Sequence, residues 1–347
     1  MLTRIAKTDY EQELRKFLNE LKNRELNSST QIGLAAVRLI KKLIGESKWT
    51  TAGELLEILK KEEKSLFECI PNETNVRNIW KRVIKIIKDE SVVIEQRNQT
   101  QIDSLQGNLF QSNICQNLSL SHNELKPIMI EALSEIIIEL ESAVASIASQ
   151  SVEHIYENEV IFTMGKSQTV EAFLKYAARK RRFHVIVAEN APYLDGHEIS
   201  SNLQKAGLDV TLITDSAIFT IISRVNTVIV GTKSIFANGG LKAHTGTHSL
   251  ALAAKHHNIP LIVCSSLLKL SPEYFANTNN LPELLPCDDV LSSNFQPNLT
   301  VLNPSFDYVP PELVNLFIFN TTKTAPSYVY RLIREMYAIE EDEDEFF

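Results

Sequence analysis

Apolar residues recur every three or four positions through the first part of the chain. Leu14, Phe17 and Leu21 show this spacing, which is typical of helices with one buried face. Polar residues at Asn27–Thr30 interrupt the pattern and offer a cap for the start of a second helix. The pattern predicts a helical N-terminal domain over residues 1–96.

The helical period is lost over residues 97–126, where Gln, Asn and Ser dominate, so we predict a flexible linker or insertion there. Pro127 suits the first turn of a helix, and apolar residues then recur at helical spacing. We predict one connecting helix over residues 127–157. Its buried stripe is expected to contain Ile130, Leu133, Ile137, Leu140 and Val144.

Three acidic residues of this helix, Glu131, Glu135 and Glu139, recur every four positions and are expected on one exposed face. Two interpretations remain. The face could simply be solvated, or it could be a docking stripe for a basic partner, because clustered charge steers association.

Short apolar runs alternate with helical segments over residues 158–338. This alternation predicts a Rossmann-like α/β domain, in which helices cover both faces of a doubly wound parallel sheet. The expected fold class is therefore α+α/β, with the acidic tail 339–347 outside the domain. The predicted strands are Val160–Thr163, Phe183–Ala188, Val210–Thr214, Thr227–Val230 and Leu261–Cys264.

Loops at the ends of these strands carry glycines, hydroxyls and one lysine. Open α/β sheets bind ligands at the carboxyl ends of their strands, and backbone N–H groups at a helix start suit a phosphate. The candidate phosphate pocket comprises Gly165, Lys166, Ser167, Asn238, Gly239, Gly240, Thr245, Gly246 and Thr247.

Acid–base and metal chemistry have less support in these loops. Glu189 and Asp215 follow predicted strands and could form a general acid–base pair, or they could cap helices and tie loops together. His244 and His248 could share a metal ion, although packing and hydrogen bonding are the commoner uses of such histidines. We expect no metal and no cofactor, since no dinucleotide or P-loop motif is present.

Composition and charge limit the cellular environments and the classes of partner that we expect. The net charge of −8 argues against direct binding of nucleic acid, and the four cysteines show no CxxC spacing. No apolar run is long enough to span a membrane. We expect a cytosolic protein without a membrane partner.

Several stretches resemble the regulatory subunits of eukaryotic translation initiation factor 2B. They are NEVIFTMGKSQTVEAFLKYAARKRRFHVIVAENAP, GTKSIFANGGLKAHTGTHSLALAAKHHNIPLIVC, LLKLSP, FDYVPPEL and APSYVYRL. The resemblance spans nearly the whole chain except residues 97–126 and the acidic tail.

This resemblance implies a non-catalytic regulatory and scaffold subunit of the guanine nucleotide exchange factor for translation initiation factor 2. The implied partners are the alpha, gamma, delta and epsilon subunits of that complex. Exchange itself would belong to the epsilon subunit. The substrate would be initiation factor 2, whose alpha subunit would be bound and its phosphorylation sensed.

The resemblance also assigns roles to individual residues. Glu131 and Glu135 fall on the helix that contacts the substrate in the family, and Glu139 is added by its spacing. Asn158 and His184 match positions near a symmetric subunit interface, and Tyr156 and Thr211 are expected beside them.

The wider family includes isomerases of methylthioribose 1-phosphate and ribose 1,5-bisphosphate. Their catalytic Asp corresponds to Gly240, and their catalytic Cys belongs near Met164 and Gly165, so the resemblance implies a vestigial pocket and no enzyme activity. The alternative is a sugar-phosphate-binding or isomerase-like protein that uses this pocket.

Overall fold

The computed structural model describes residues 3–23, 25–26, 28–70, 73–100, 122–274, 284–291 and 299–337. The chain forms two compact units. The first runs to Glu141 and includes residues 335–337 from the far end of the chain, while the second runs from Ser142 to Arg334.

Helices build the first unit, as predicted. Two of these helices begin at a capping side chain: Ser28 and Thr51 accept hydrogen bonds from the backbone N–H groups of Thr30 and Glu54. The core is anchored by the fully buried Trp80, whose indole N–H donates to the carbonyl oxygen of Leu59 over 3.1 Å. The helices are α1 (Thr3–Lys22), α2 (Ser29–Glu46), α3 (Ala52–Cys69), α4 (Thr74–Thr100) and α5 (His122–Ser149), which continues into the second unit.

Helix α5 differs from the predicted connecting helix in its bounds and in its buried face. It begins before Pro127, which lies inside it. Proline has no backbone N–H, so the helix lacks one of its hydrogen bonds at this position. Leu133 and Leu140 are buried as predicted, but Ile130 is exposed and Ile137 and Val144 are only partly buried, so the predicted stripe was wrong at three of its five positions. The buried stripe starts at Leu125 and continues through Met129, Leu133, Ile136, Leu140, Ala143 and Ile147.

Part of the predicted linker lies outside the described residues. Helix α4 extends to Thr100 and α5 starts at His122, so residues 101–121 are the part of the 97–126 segment that is not described. The acidic tail 339–347 also lies outside the described residues.

A seven-stranded sheet forms the centre of the second unit. Its strands are β1 (Val160–Thr163), β2 (His184–Ala188), β3 (Asp209–Ile213), β4 (Thr227–Gly231), β7 (Leu261–Cys264), β9 (Leu316–Ile318) and β10 (Lys323–Thr324). Their order in the sheet is β10-β9-β7-β4-β1-β2-β3, and only the β9–β10 pair is antiparallel, so the predicted Rossmann-like parallel sheet is confirmed. The helices are α6 (Gln168–Ala178), α7 (Asp195–Lys205), α8 (Ile218–Ile221), α9 (Thr247–His256) and α10 (Val329–Met336).

A second sheet lies where the sequence predicted only an open loop. It contains β5 (Ser234–Ile235), β6 (Leu241–His244) and β8 (Phe306–Val309), with β6 in the middle and both pairs antiparallel. Directly paired residues of an antiparallel sheet project from the same face. Ser234, Lys242 and Tyr308 therefore form one row across the three strands.

Candidate functional site

The first group of predicted pocket residues follows β1 and is tied to neighbouring elements. Gly165 has φ +74°, and the ring of His244 lies so close that a Cβ on Gly165 would be 2.9 Å from its Cδ2 atom. The Ser167 hydroxyl accepts the N–H of Val170 and caps α6. The ammonium of Lys166 pairs with Glu198 at 2.7 Å. Each polar side chain of this group therefore already has a partner within the chain.

The second group, at the turn before β6, is covered by an aromatic ring. The Asn238 side chain accepts the N–H of Gly240 over 2.9 Å and donates to the Tyr308 hydroxyl over 2.8 Å. Gly239 has φ +81° and lies against Pro326. A Cβ on Gly240 would be 2.5 Å from a ring carbon of Tyr308. No side chain can project from Gly240 unless that ring moves.

The third group surrounds the start of α9. The Thr245 hydroxyl donates to the Pro304 carbonyl over 2.7 Å, and the Thr247 hydroxyl donates to the His244 carbonyl over 2.6 Å. The N–H groups of Gly246 and His248 donate to one carboxylate oxygen of Asp307, over 2.6 and 3.3 Å. The helix start, which would suit a phosphate, thus holds a carboxylate from the same chain.

Cationic side chains gather beside these groups. The ammonium groups of Lys242 and Lys233 lie 5.1 and 6.0 Å from the centre of the Phe306 ring. Lys269 donates to the Thr232 carbonyl over 2.8 Å. Burial, and to a lesser degree the charge of Lys233, lowers the pKa of Lys269 to about 8. Burial also lowers the pKa of His244, which favours its neutral ring.

The lowered pKa of Lys269 predicts a pH-dependent stability. Its folded-state pKa of about 8 is below the ordinary 10.5, so the unfolded chain binds more protons between these two values. Wild-type stability should therefore rise with pH across this window relative to Lys269→Met. Urea unfolding of both chains at pH 7 and at about pH 9.5 measures the difference. A difference that stays constant with pH would contradict the assignment.

Glu189 and Asp215 follow the neighbouring strands β2 and β3. The Asp215 carboxylate accepts the backbone N–H groups of Asn190 and Ala191, over 3.0 and 2.8 Å. Asp215 therefore ties two loops together, as the second of the two interpretations expects. Among the described residues no group of three or more His, Cys, Asp or Glu side chains could hold a metal ion.

The three predicted acids of α5 are not equivalent. Glu131 and Glu135 are exposed, whereas Glu139 is partly buried and pairs with Arg82 at 2.6 Å. A spacing of four residues turns about 40° further at each step around a helix, so Glu139 lies about 80° from Glu131. Ile138, which is 64% exposed, lies on the face of Glu131 and Glu135. That face is therefore a mixed acidic and apolar surface.

The residues predicted at a subunit interface lie together in the second unit. The His184 ring and the Thr211 hydroxyl are 2.9 Å apart, and β3, which holds Thr211, is an edge strand of the sheet. Asn158 is exposed, has φ +64° and donates its N–H to the Arg182 carbonyl. Tyr156 is 59% exposed, and the Arg181 guanidinium lies 5.2 Å from its ring centre. The four side chains thus border one accessible edge.

Sequence reasoning missed residues that contact the strand-end loops and residues that border the predicted interface edge. Asp307 and Tyr308 carry no local signal, because their role depends on the pairing of β8 with β6. The basic run Arg179–Arg182 did carry one, since four consecutive cations stand out in a chain of net charge −8. This run precedes β2 and borders Tyr156 and Asn158. No described helix is both long and apolar enough to cross a membrane.

Together the fold and the strand-end loops define a class of protein. It combines a helical unit with a Rossmann-like unit whose strand-end loops carry polar groups already bonded within the chain. The model of the initiation factor 2 subunit family matches residues 25–325. The chain therefore belongs to the initiation factor 2 subunit family.

Individual relatives agree with this membership. The chain is 37% identical over 367 residues to translation initiation factor eIF2B subunit beta of Dictyostelium discoideum, which covers 92% of this chain and 94% of that protein. The crystal structure of the tetrameric eIF2B beta2–delta2 complex from C. thermophilum includes a chain with 25% identity and a TM-score of 0.73, covering 96% of this chain and 98% of that one. A ribose 1,5-bisphosphate isomerase of Pyrococcus furiosus is 24% identical, over 93% of this chain and 94% of that enzyme.

These findings confirm two expectations drawn from the sequence. The resemblance to the regulatory subunits of translation initiation factor 2B is confirmed, with likeness to the beta subunit in particular. The more distant relation to sugar-phosphate isomerases is confirmed as well. They support the role of a subunit in translation initiation.

Proposed function

We propose that the chain is a non-catalytic regulatory and scaffold subunit of the guanine nucleotide exchange factor for translation initiation factor 2. It helps to bind the alpha subunit of that substrate and to sense its phosphorylation. One observation of the geometry supports the non-catalytic part: the Tyr308 ring lies against Gly240, the position to which the resemblance would match the isomerase aspartate. The full-length likeness to a beta subunit supports the assembly.

Two surfaces suit the proposed partners. The face of α5 with Glu131, Glu135 and Ile138 would bind the substrate, because two carboxylates steer a basic segment and the isoleucine offers apolar contact. The edge with Tyr156, Asn158, His184 and Thr211 would contact other subunits of the complex. An edge strand and an exposed tyrosine are features that subunit interfaces use. The delta subunit is the proposed neighbour, with the alpha, gamma and epsilon subunits in the same cytosolic assembly.

The alternative, a sugar-phosphate-binding or isomerase-like protein, has less support. The hydroxyls of Ser167, Thr245 and Thr247 are used within the chain, as are the N–H groups at the start of α9. A ligand would have to replace these bonds, so its net gain in binding would be small.

Co-purification from native cytosol tests the proposal. The tagged chain should be recovered with four other subunits, and the eluate should accelerate nucleotide release from initiation factor 2. A tag on an unrelated cytosolic protein controls for carry-over of the exchange factor. Recovery of a lone homo-oligomer that interconverts a ribose phosphate would reject the regulatory role and support the alternative.

A further inference from the structure

We infer that the acidic end of the chain docks on a stripe of lysines along α4 of the same chain. The lysine stripe comprises Lys81, Lys85 and Lys88, and its occupant is the block of acids at 340–345. This internal contact goes beyond the regulatory role and does not depend on it. It covers the positive face of α4 and hinders other acidic segments from binding there.

The last described residues of the chain lie on the first unit, beside the lysine stripe. The Lys85 ammonium donates a hydrogen bond to the carbonyl oxygen of Glu335. Tyr337 is only 2% exposed, and burial raises the pKa of its hydroxyl. The charges of Arg82 and Glu139, which pair with each other between α4 and α5, also act on that hydroxyl. The acidic block therefore follows a segment that is already held against α4.

The remaining length of chain is sufficient to reach every lysine of the stripe. Ten residues follow Tyr337, and in an extended conformation they span up to about 33 Å. The stripe from Lys81 to Lys88 is shorter, since seven residues of helical rise amount to about 10 Å. Glu340, the first acid, is the third residue after Tyr337. The acids can thus meet the stripe without any movement of the described residues.

The two segments are complementary in charge. Residues 81–88 contain four cations and no acid, whereas all six residues of 340–345 are acidic. Spacings of four and three positions bring the three stripe lysines onto one face of α4, and each of them is partly exposed. Six consecutive like charges repel one another, so contact with cations relieves this repulsion. Charge therefore favours the tail as the occupant of the stripe.

Covalent attachment favours the chain's own tail over a separate acidic partner. Exposed ion pairs are individually weak, so a free acidic peptide at a low concentration would leave most of the stripe unoccupied. A short flexible connection, in contrast, gives the tethered segment an effective concentration in the millimolar range. The tail is tethered at Tyr337, next to its proposed site, and it therefore competes well with segments of other molecules.

Zero-length cross-linking of the full chain tests this contact. A carbodiimide joins a carboxylate to an amine only where the two groups meet, and mass spectrometry identifies the linked peptides. At low ionic strength, the acids of 340–345 should link to the lysine stripe. About 0.5 M NaCl should abolish these links, because salt screens exposed charges. The pair of Lys166 and Glu198, 2.7 Å apart at low salt, reports that the reaction works.

An equal mixture of unlabelled and isotope-labelled chains separates contact within one chain from contact between copies. Links within one chain combine peptides of one isotope, as the inference requires. Mixed links would overturn it, because the tail would then bind a second copy. It would be overturned as well if the tail linked equally to Lys61 and Lys64, two exposed lysines of α3, or formed no link while Lys166 and Glu198 did.

A peptide of the tail provides a measurement that does not depend on cross-linking. In a neutral-tail variant, Gln and Asn replace the Glu and Asp residues of 340–345, which leaves the lysine stripe open. This variant should bind a synthetic peptide of residues 338–347 about fivefold more tightly than the wild type, whose own tail competes for the stripe. Equal affinities would show that the wild-type tail does not occupy the site.

Substitutions in the neutral-tail variant locate the peptide. Lys81→Gln with Lys88→Gln removes two cations of the stripe and should weaken peptide binding about fivefold. Lys61→Gln with Lys64→Gln removes the same charge from an exposed part of α3 and should change the Kd by less than about twofold. An equal loss for the two pairs would reject the stripe as the docking site.

Discussion

Replacing Gly196 with alanine is expected to destabilise the chain by about 3 kcal/mol or more. Gly196 is a buried residue in the first turn of α7, where the helix meets the end of β2. A Cβ there would lie 2.8 Å from the Cα atom of Glu189 and far inside contact distance of the Ala188 carbonyl oxygen. Both atoms are backbone, so no change of side-chain rotamer relieves the overlap. Urea unfolding followed by circular dichroism measures the loss.

Two other glycines provide matched controls. Gly45 in α2 has open space around its Cα atom, so alanine should be neutral or stabilise by up to about 1 kcal/mol. Gly207, with φ +87° and open space, isolates backbone strain and should cost about 1 kcal/mol. The fluorescence of Trp49 and Trp80 identifies the transition of the first unit. A Gly196→Ala midpoint equal to that of Gly207→Ala would show that the overlap is relieved.

Reversing both exposed acids of α5, Glu131→Lys with Glu135→Lys, is expected to weaken the proposed binding of the substrate's alpha subunit about thirtyfold. Each reversal removes an attraction worth about 0.5 kcal/mol and adds a repulsion of about the same size. The two reversals together therefore change the binding free energy by about 2 kcal/mol. Neither carboxylate makes a hydrogen bond or ion pair to the described residues, and the stability should hold. The measurement is the Kd of the reconstituted complex for the alpha subunit of initiation factor 2, at low and physiological ionic strength.

A control with the same change in charge separates the surface from the net charge. Glu57→Lys with Glu68→Lys reverses two exposed acids of α3 and should leave the Kd within about twofold. Glu139→Lys should instead lower stability, because it breaks the pair with the partly buried Arg82. Equal weakening by the α3 pair and the α5 pair would count against a specific docking face, as would an unchanged Kd at low salt.

The sequence predicted the elements that carry a local signal, either a helical period or a short continuous apolar run. The parallel strands β1, β2, β4 and β7 are short apolar runs, and their bounds were predicted to within a residue. Helix α5 shows the limit of the method. Ile130 and Ile138 are apolar but exposed, so apolar spacing alone does not identify the buried face. The buried stripe includes Leu125, which the sequence analysis assigned to the linker.

The phosphate-binding role of the strand-end loops stays a prediction. The structure brings Gly165 beside His244 and Gly246 beside Met164, and the hydroxyls of Ser167, Thr245 and Thr247 are bonded within the chain. The partners of Ser167 and Thr247 are local, but those of Thr245, Gly246 and Asn238 are Pro304, Asp307 and Tyr308, which lie 59 to 70 positions further along the chain. Nothing in the local pattern around Thr245 shows which distant strand will pair with β6. The binding roles of these residues, and of the interface residues, stay predictions.

The pairing of β6 with β8 also sets the order in which the second unit can be completed during synthesis. His244 and Phe306 are partners in that sheet but are separated by 62 positions in the chain. At about 5–20 residues per second, a ribosome needs roughly 3–12 seconds to add the missing strand. During that interval the nascent chain carries β6 with one edge unpaired and α9 without its capping carboxylate. The emerging polypeptide is therefore most exposed to misassociation in the seconds before β8 leaves the exit tunnel.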